Sequence, residues 1–223
     1  MGALAVGRLR SAAAAAAAGG ALDWRTLEAV TLDARGTLLE LVDPLPALGA
    51  ALRRHGVERG ARELAAAFRA ELRHYEPRAA QPRSTAELRA LQRDCTAVFL
   101  ESLGAKLDPA EFAPAFIAAL RFRPLVGVDL ALARLRERGL RLAVVSNWDI
   151  GLSAHLAAAG LDSFFTVVIA AAGKPDPTAL LEALEAMETS AARALHVGDT
   201  ESDELAARRA GMQFARGPLA GLA

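Results

Sequence analysis

A single cysteine, Cys95, stands among the 223 residues. One thiol cannot build an intrachain disulfide framework, and its solitude fits a reducing compartment. No sign of charge is in excess: 26 basic residues meet 26 acidic ones, for a formal net charge of zero. A generic nucleic-acid binder carries a basic domain, which this balance argues against. Long apolar runs are missing too. Apolar stretches are broken by charges every few residues, so no segment reads as membrane-spanning. These absences predict a cytoplasmic chain with neither nucleic acid nor membrane as partner. Hydrophobic residues are abundant, at 53%. That content excludes a largely disordered chain. The length suits one domain, or one core carrying an inserted subdomain.

Residues 1–22 form a low-complexity extension. The run from Ser11 to Gly20 is almost pure alanine, preceded by Arg8 and Arg10, with no acid before Asp23. The composition is open to an unstructured extension or misassigned start, to an organellar or secretory leader, and to a short helix.

The rest of the chain alternates between two hydrophobic periods. Ala29-Val30-Thr31-Leu32 is a β-rich run ending at Asp33. The segments 45–55, 61–75, 84–103 and 109–122 carry apolar residues at helical spacing, punctuated by Pro77, Pro82, Gly104 and Pro124. Strands are then expected at 140–145, 164–170, 195–197 and 212–215, separated by helices at 130–138, 150–159, 178–187 and 201–210. Strand–helix alternation implies a doubly wound, Rossmann-like α/β core with a parallel sheet. The interruption reads as an α-helical domain inserted after the first strand. The expected boundaries are 23–43 and 125–223 for the core and 44–124 for the insertion.

Open parallel sheets gather their chemistry beyond the carboxyl ends of the strands. Four consecutive ends carry Asp33, then Ser146-Asn147-Trp148-Asp149, then Lys174-Pro175, then Gly198-Asp199-Thr200-Glu201-Ser202-Asp203. Singly, each has an ordinary explanation: Ser146 or Thr200 can cap the next helix, and Lys174-Pro175 can be a surface turn. Chance does not readily place an acid, a serine, a lysine and a paired-acid loop in that order.

In those four motifs the sequence resembles the haloacid dehalogenase-like superfamily of hydrolases, over roughly residues 28–216. Ser146-Asn147-Trp148-Asp149 is similar to a bacterial, mostly actinobacterial, subgroup. The resemblance implies that 44–124 is a type-C1 cap, joined by linkers at 40–46 and 122–128, that closes over the site and selects substrate. It implies a Mg²⁺-dependent phosphatase acting on a small phosphorylated metabolite, as a monomer or a homodimer. Asp33 would be the nucleophile, forming an aspartyl phosphate. Asp33, Asp199 and the backbone carbonyl of Arg35 would hold Mg²⁺, with Asp203 behind them. Lys174 would hold Asp33 and the phosphoryl group. Ser146, with backbone N–H groups near Asn147, would bind phosphoryl oxygens. Thr37 would brace the turn after the nucleophile.

Two features depart from the family's pattern. Most of its phosphatases carry a second Asp two residues after the nucleophile, to protonate the leaving group. Here that residue is Arg35, which stays protonated and cannot act as a base. Arg35 then binds substrate in a specialised phosphatase, or marks a 2-haloacid dehalogenase-like enzyme, or marks a catalytically weak binding protein. The short Ala170–Gly173 segment also predicts a slightly displaced Lys174. His196 is expected to pack beside the site. His55 and His74 are expected to face solvent, and Cys95 to be buried. Trp148 walls the pocket or packs on the cap. The arginines Arg69, Arg73, Arg89 and Arg93 should form a solvated helix face.

Overall fold

The computed structural model describes residues 24–222; the extension expected at 1–22 lies outside them. Among the described residues, a single 3-10 turn (Trp24–Thr26) precedes β1 (Ala29–Leu32) and β2 (Leu39–Leu41). Four helices follow: α1 (Leu45–Arg54), α2 (Ala61–Tyr75), α3 (Thr85–Ser102) and α4 (Pro109–Ala119). After β3 (Phe122–Pro124), the order is α5 (Val128–Glu137), β4 (Arg141–Val145), α6 (Leu152–Ala158), β5 (Val167–Ile169) and α7 (Thr178–Ala186). The last elements are β6 (Ala194–Gly198), α8 (Glu201–Ala210) and β7 (Gln213–Arg216).

Five strands form one parallel sheet in the order β5-β4-β1-β6-β7. Alternate residues along each strand serve opposite layers, as the two-residue period of a strand requires. Val30, Leu32, Leu142, Val144, Leu195 and Val197 pack with α5 and α6. Ala29, Ala143, Val145 and Ala194 pack with α7 and α8 on the other face. Both faces are covered, which is why the strands read as continuous apolar runs.

The four helices α1–α4 enclose a separate core around Leu48, Leu52, Phe68, Phe99, Phe112 and Phe116. Truncating a fully buried phenylalanine such as Phe99 to alanine costs about 3–5 kcal/mol. The two segments expected as plain linkers pair instead: β2 and β3 are antiparallel, with Glu40 opposite Arg123 and Leu41 opposite Phe122. The helical pattern of 109–122 stops at Ala119, because Phe122 leaves it to join this ribbon and to stack on Trp148.

Candidate active site

Asp33 is the first residue beyond β1. Its N–H still donates to the Val197 carbonyl (2.9 Å), so the ladder carries the backbone to the sheet edge. The carboxylate accepts from Lys174 Nζ at 2.7 Å. That ammonium also donates to Asp203 Oδ1 and to the Val145 carbonyl (2.9 Å). An ammonium has three N–H donors, so Lys174 is saturated. Lys174 reaches Asp33 directly despite the short Ala170–Gly173 segment. The Asn147 side chain explains its placement: Oδ1 accepts from the Lys174 N–H (2.8 Å) and Nδ2 donates to the Lys174 carbonyl (2.9 Å). Asn147 therefore clamps the Lys174 backbone with both atoms of its amide. Ser146 is buried at the end of β4, held by its N–H to the Ile169 carbonyl (3.0 Å).

Asp199 and Asp203 sit where α8 begins. Thr200 caps this helix, its hydroxyl accepting from the Asp203 N–H, while Asp203 Oδ2 accepts from the Thr200 N–H (3.0 Å) and hydroxyl. This reciprocal capping satisfies orphan donors of the first turn. It also aims Asp203 inward. Carboxylate oxygens of Asp33, Asp199 and Asp203 all lie within 4.8 Å of one another.

Two glycines make the cluster possible. A Cβ on Gly36, whose φ is +82°, would lie 2.3 Å from Asp199 Oδ2. One on Gly198 would lie 2.4 Å from Asp203 Cγ.

The electrostatics of the three acids differ. Burial would raise the Asp203 carboxyl, but hydrogen bonds from His196, Lys174 and Thr200, with the lysine's charge, hold it well below the usual carboxylate range. The Asp199 carboxyl is pushed up, first by desolvation and then by the nearby charges of Asp33 and Asp203. Lys174 has no donor left for Asp199. The three carboxylates share one directly bonded cation, with the Arg35 charge acting on Asp199 as a smaller effect, and their hard oxygen donors are of the kind a Mg²⁺ ion takes.

His196 is fully buried beside the cluster, as expected. Its Nε2 lies 3.4 Å from Asp203 Oδ1 and its Nδ1 is 2.8 Å from the Thr31 hydroxyl. Since a carboxylate only accepts, Nε2 is assigned the proton and Thr31 donates to Nδ1. Burial lowers the imidazole's pKa, which favours this neutral form. Thr37 is fully buried after the turn, and its hydroxyl makes no hydrogen bond.

A cavity of about 430 Å³ opens between these strand ends and the helices α2–α4. Trp148 lines it, stacked edge-on against Phe122 (4.5 Å) and tilted against His155 (5.2 Å). Two contacts join the helical wall to the strand ends. The Tyr75 hydroxyl donates to Asp149 Oδ2 (2.7 Å), and Arg35 Nη2 donates to Glu76 Oε1 (3.0 Å). The Arg35 side chain is thus engaged with a neighbouring acid, although it borders the cavity.

Sequence reasoning missed Glu71 and Tyr75. Both lie with Phe68 and Leu72 on the face of α2 that borders the cavity. The available signal was one carboxylate, Glu71, in the helically spaced and otherwise apolar or aromatic stripe Leu64, Ala67, Phe68, Leu72 and Tyr75. Cys95 is buried, as expected, and borders the cavity as well. Arg69, Arg73, Arg89 and Arg93 are exposed. His55 is exposed, edge-on to Phe112 (5.4 Å). His74 departs from expectation: it is half-buried, and its Nε2 is shielded without a partner.

Comparison with known proteins adds to this geometry. A family model described as haloacid dehalogenase-like hydrolase matches residues 27–211. A phosphoglycolate phosphatase of Cupriavidus necator is 41% identical over 91 residues, 39% of this chain and 39% of that protein. The haloacid dehalogenase-like hydrolase domain-containing protein 3 of Bos taurus is 39% identical over 102 residues, 44% of this chain and 41% of that one. The chain thus spans about two fifths of the length of these relatives. The structure of L-2-haloacid dehalogenase from Xanthobacter autotrophicus superposes with a TM-score of 0.61 at 28% identity, covering 85% of this chain and 77% of that one. No helix among the described residues is long and apolar enough to cross a membrane.

Proposed function

The chain belongs to the haloacid dehalogenase-like hydrolase family, and on that premise we propose that it is a Mg²⁺-dependent phosphatase acting on a small phosphorylated metabolite. The observation that carries this reading is the cluster of Asp33, Asp199 and Asp203 around a saturated Lys174. Asp33, Asp199 and the Arg35 carbonyl would hold Mg²⁺, which when bound neutralises charge on the phosphoryl oxygens. The helices of 44–124 act as a C1-type cap over the cavity. The lone buried thiol supports a cytoplasmic setting.

In the first step an Asp33 oxygen attacks phosphorus. An O–P bond forms, the ester P–O bond breaks, and the leaving oxygen keeps the electron pair and takes a proton from water. In the second step water attacks the same phosphorus, the bond to Asp33 breaks, and inorganic phosphate leaves as the carboxylate is restored. Lys174 fixes the attacking carboxylate and offsets developing charge. Ser146 and main-chain N–H groups at Asn147 orient the phosphoryl oxygens. Asp203, locked by Thr200, holds Lys174 in place. Arg35 cannot deliver a proton, so good leaving groups should react best.

The test is phosphate release from p-nitrophenyl phosphate and a phosphometabolite panel with Mg²⁺, with Asp33→Asn in parallel. Turnover in the wild type and none in the variant is the expected result; equal turnover in both sinks the nucleophile assignment. A second reading, C–halogen hydrolysis, draws on the dehalogenase resemblance in structure and on Arg35. It predicts halide release from a 2-chloro acid without added metal.

A further inference from the structure

The helical wall of the cavity is chemically one-sided. Phe68, Leu72, Leu91, Ile117 and Leu120 make most of it apolar, with Tyr75, Glu76 and Gln92 as polar side chains that carry no positive charge. No lysine or arginine from helices α1–α4 borders the cavity. Arg35 and Lys174 border it from the strand ends, and both are already paired with acids. A second anionic group on a bound molecule would therefore meet no free countercharge along this wall, and burying an unpaired charge is costly.

Within the apolar wall stands Glu71. It is 3% exposed, borders the cavity, and its Oε2 has no hydrogen-bond partner. A buried polar atom of this kind is rare and calls for a ligand or another explanation. Burial pushes its carboxyl up to about 7, against a smaller lowering by the neighbouring Cys95 thiol. The neutral acid, which both donates and accepts, is thus accessible at neutral pH.

We propose, building on the phosphatase reading, that Glu71 is a specificity residue that hydrogen-bonds a hydroxyl or carbonyl on an uncharged, largely apolar leaving group. The phosphoryl group would lie at Asp33 and Lys174, with the apolar body against α2–α4. The cavity of about 430 Å³ is within the ordinary range for small-molecule sites, roughly 300–1,000 Å³. Substrates whose leaving group carries a carboxylate, such as phosphoglycolate, are disfavoured by the same wall.

The experiment is calorimetric titration of the full chain, with Mg²⁺, by three matched phosphonates: 3-phenylpropylphosphonate and its para-hydroxy and para-carboxy derivatives. The hydroxylated compound should bind about tenfold more tightly than the parent, and the carboxylated one more weakly than both. Glu71→Leu should reduce the hydroxyl preference to within about twofold while binding the parent at least as well; Glu71→Gln should keep the preference. An unchanged preference in Glu71→Leu, tightest binding of the carboxylate, or no binding of any probe overturns the proposal. The wild-type ranking alone decides if a variant misfolds. Hydrolysis of the corresponding phosphate esters separates the two readings. The expected ranking without any hydrolysis refutes the phosphatase and leaves the Glu71 wall standing. Hydrolysis with a ranking indifferent to Glu71 does the reverse.

Discussion

Lys174 Nζ lies 2.7 Å from Asp33 Oδ1, joining residues 141 positions apart in the chain. The same ammonium holds Asp203, so two buried carboxylates share one cation. Lys174→Met should therefore destabilise the fold by about 3–5 kcal/mol, the cost of stranding buried charge, as well as abolish turnover. Urea unfolding would show it. Adding Asp33→Asn should restore part of the stability and none of the activity.

Gly36 is the second constraint on the cluster. Gly36→Ala forces a Cβ into the Asp199 carboxylate, in addition to a left-handed backbone strain of about 1–2 kcal/mol. Gly56→Ala has the same strain at φ +74° but open space around it. Thermal unfolding should show a larger loss for Gly36→Ala. Only that variant should need more Mg²⁺ for half-maximal turnover.

Arg35 pairs with Glu76 at an exposed site, where such bridges contribute about 0–1 kcal/mol. Arg35→Asp should leave the melting temperature nearly unchanged and raise turnover of alkyl phosphates, towards the roughly 10²-fold that a general acid provides. Steady-state kinetics would decide. A fall in kcat/KM would show that Arg35 contributes to substrate binding.

Glu71 gives the stability a pH signature. Its carboxyl titrates near 7 in the fold instead of 4.5, so the native state holds a proton that the unfolded chain releases above 4.5. Stability is full below that value and falls as pH rises through 7, by at most about 3 kcal/mol. Urea midpoints at pH 5 and pH 8 should converge in Glu71→Gln relative to the wild type.

Much of this architecture was readable in the chain. Largely apolar runs stopping at Asp33, Ser146 and Asp199 announce strand ends, because burial on both faces leaves few polar residues within, Thr31 and His196 being paired with each other. Glu201–Ala210 was legible to the residue, with Thr200 capping one end and Gly211 closing the other at φ +76°. β2 and β3 were not legible. Three-residue strands carry no period, and only their pairing across 83 residues makes Glu40 and Arg123 neighbours. The role of Asn147 was hidden for a similar reason: a polar residue after a strand looks like a cap, whereas its amide is used on a loop 27 residues later. Glu71 was marked only by its place in an apolar helical stripe, and what that stripe faces depends on the helix's neighbours.

The pairing of β2 with β3 bears on how a ligand enters. Two independent tethers would let the helical block tilt in any direction. Here the outgoing and returning chains are stitched side by side, with Val42 N–H to the Arg121 carbonyl and Leu125 N–H to the Leu38 carbonyl (both 2.9 Å) extending the seam. A stitched ribbon bends easily across its flat face and resists shearing in its plane. A swing of the helices about this ribbon would have to part Tyr75 from Asp149 and Glu76 from Arg35.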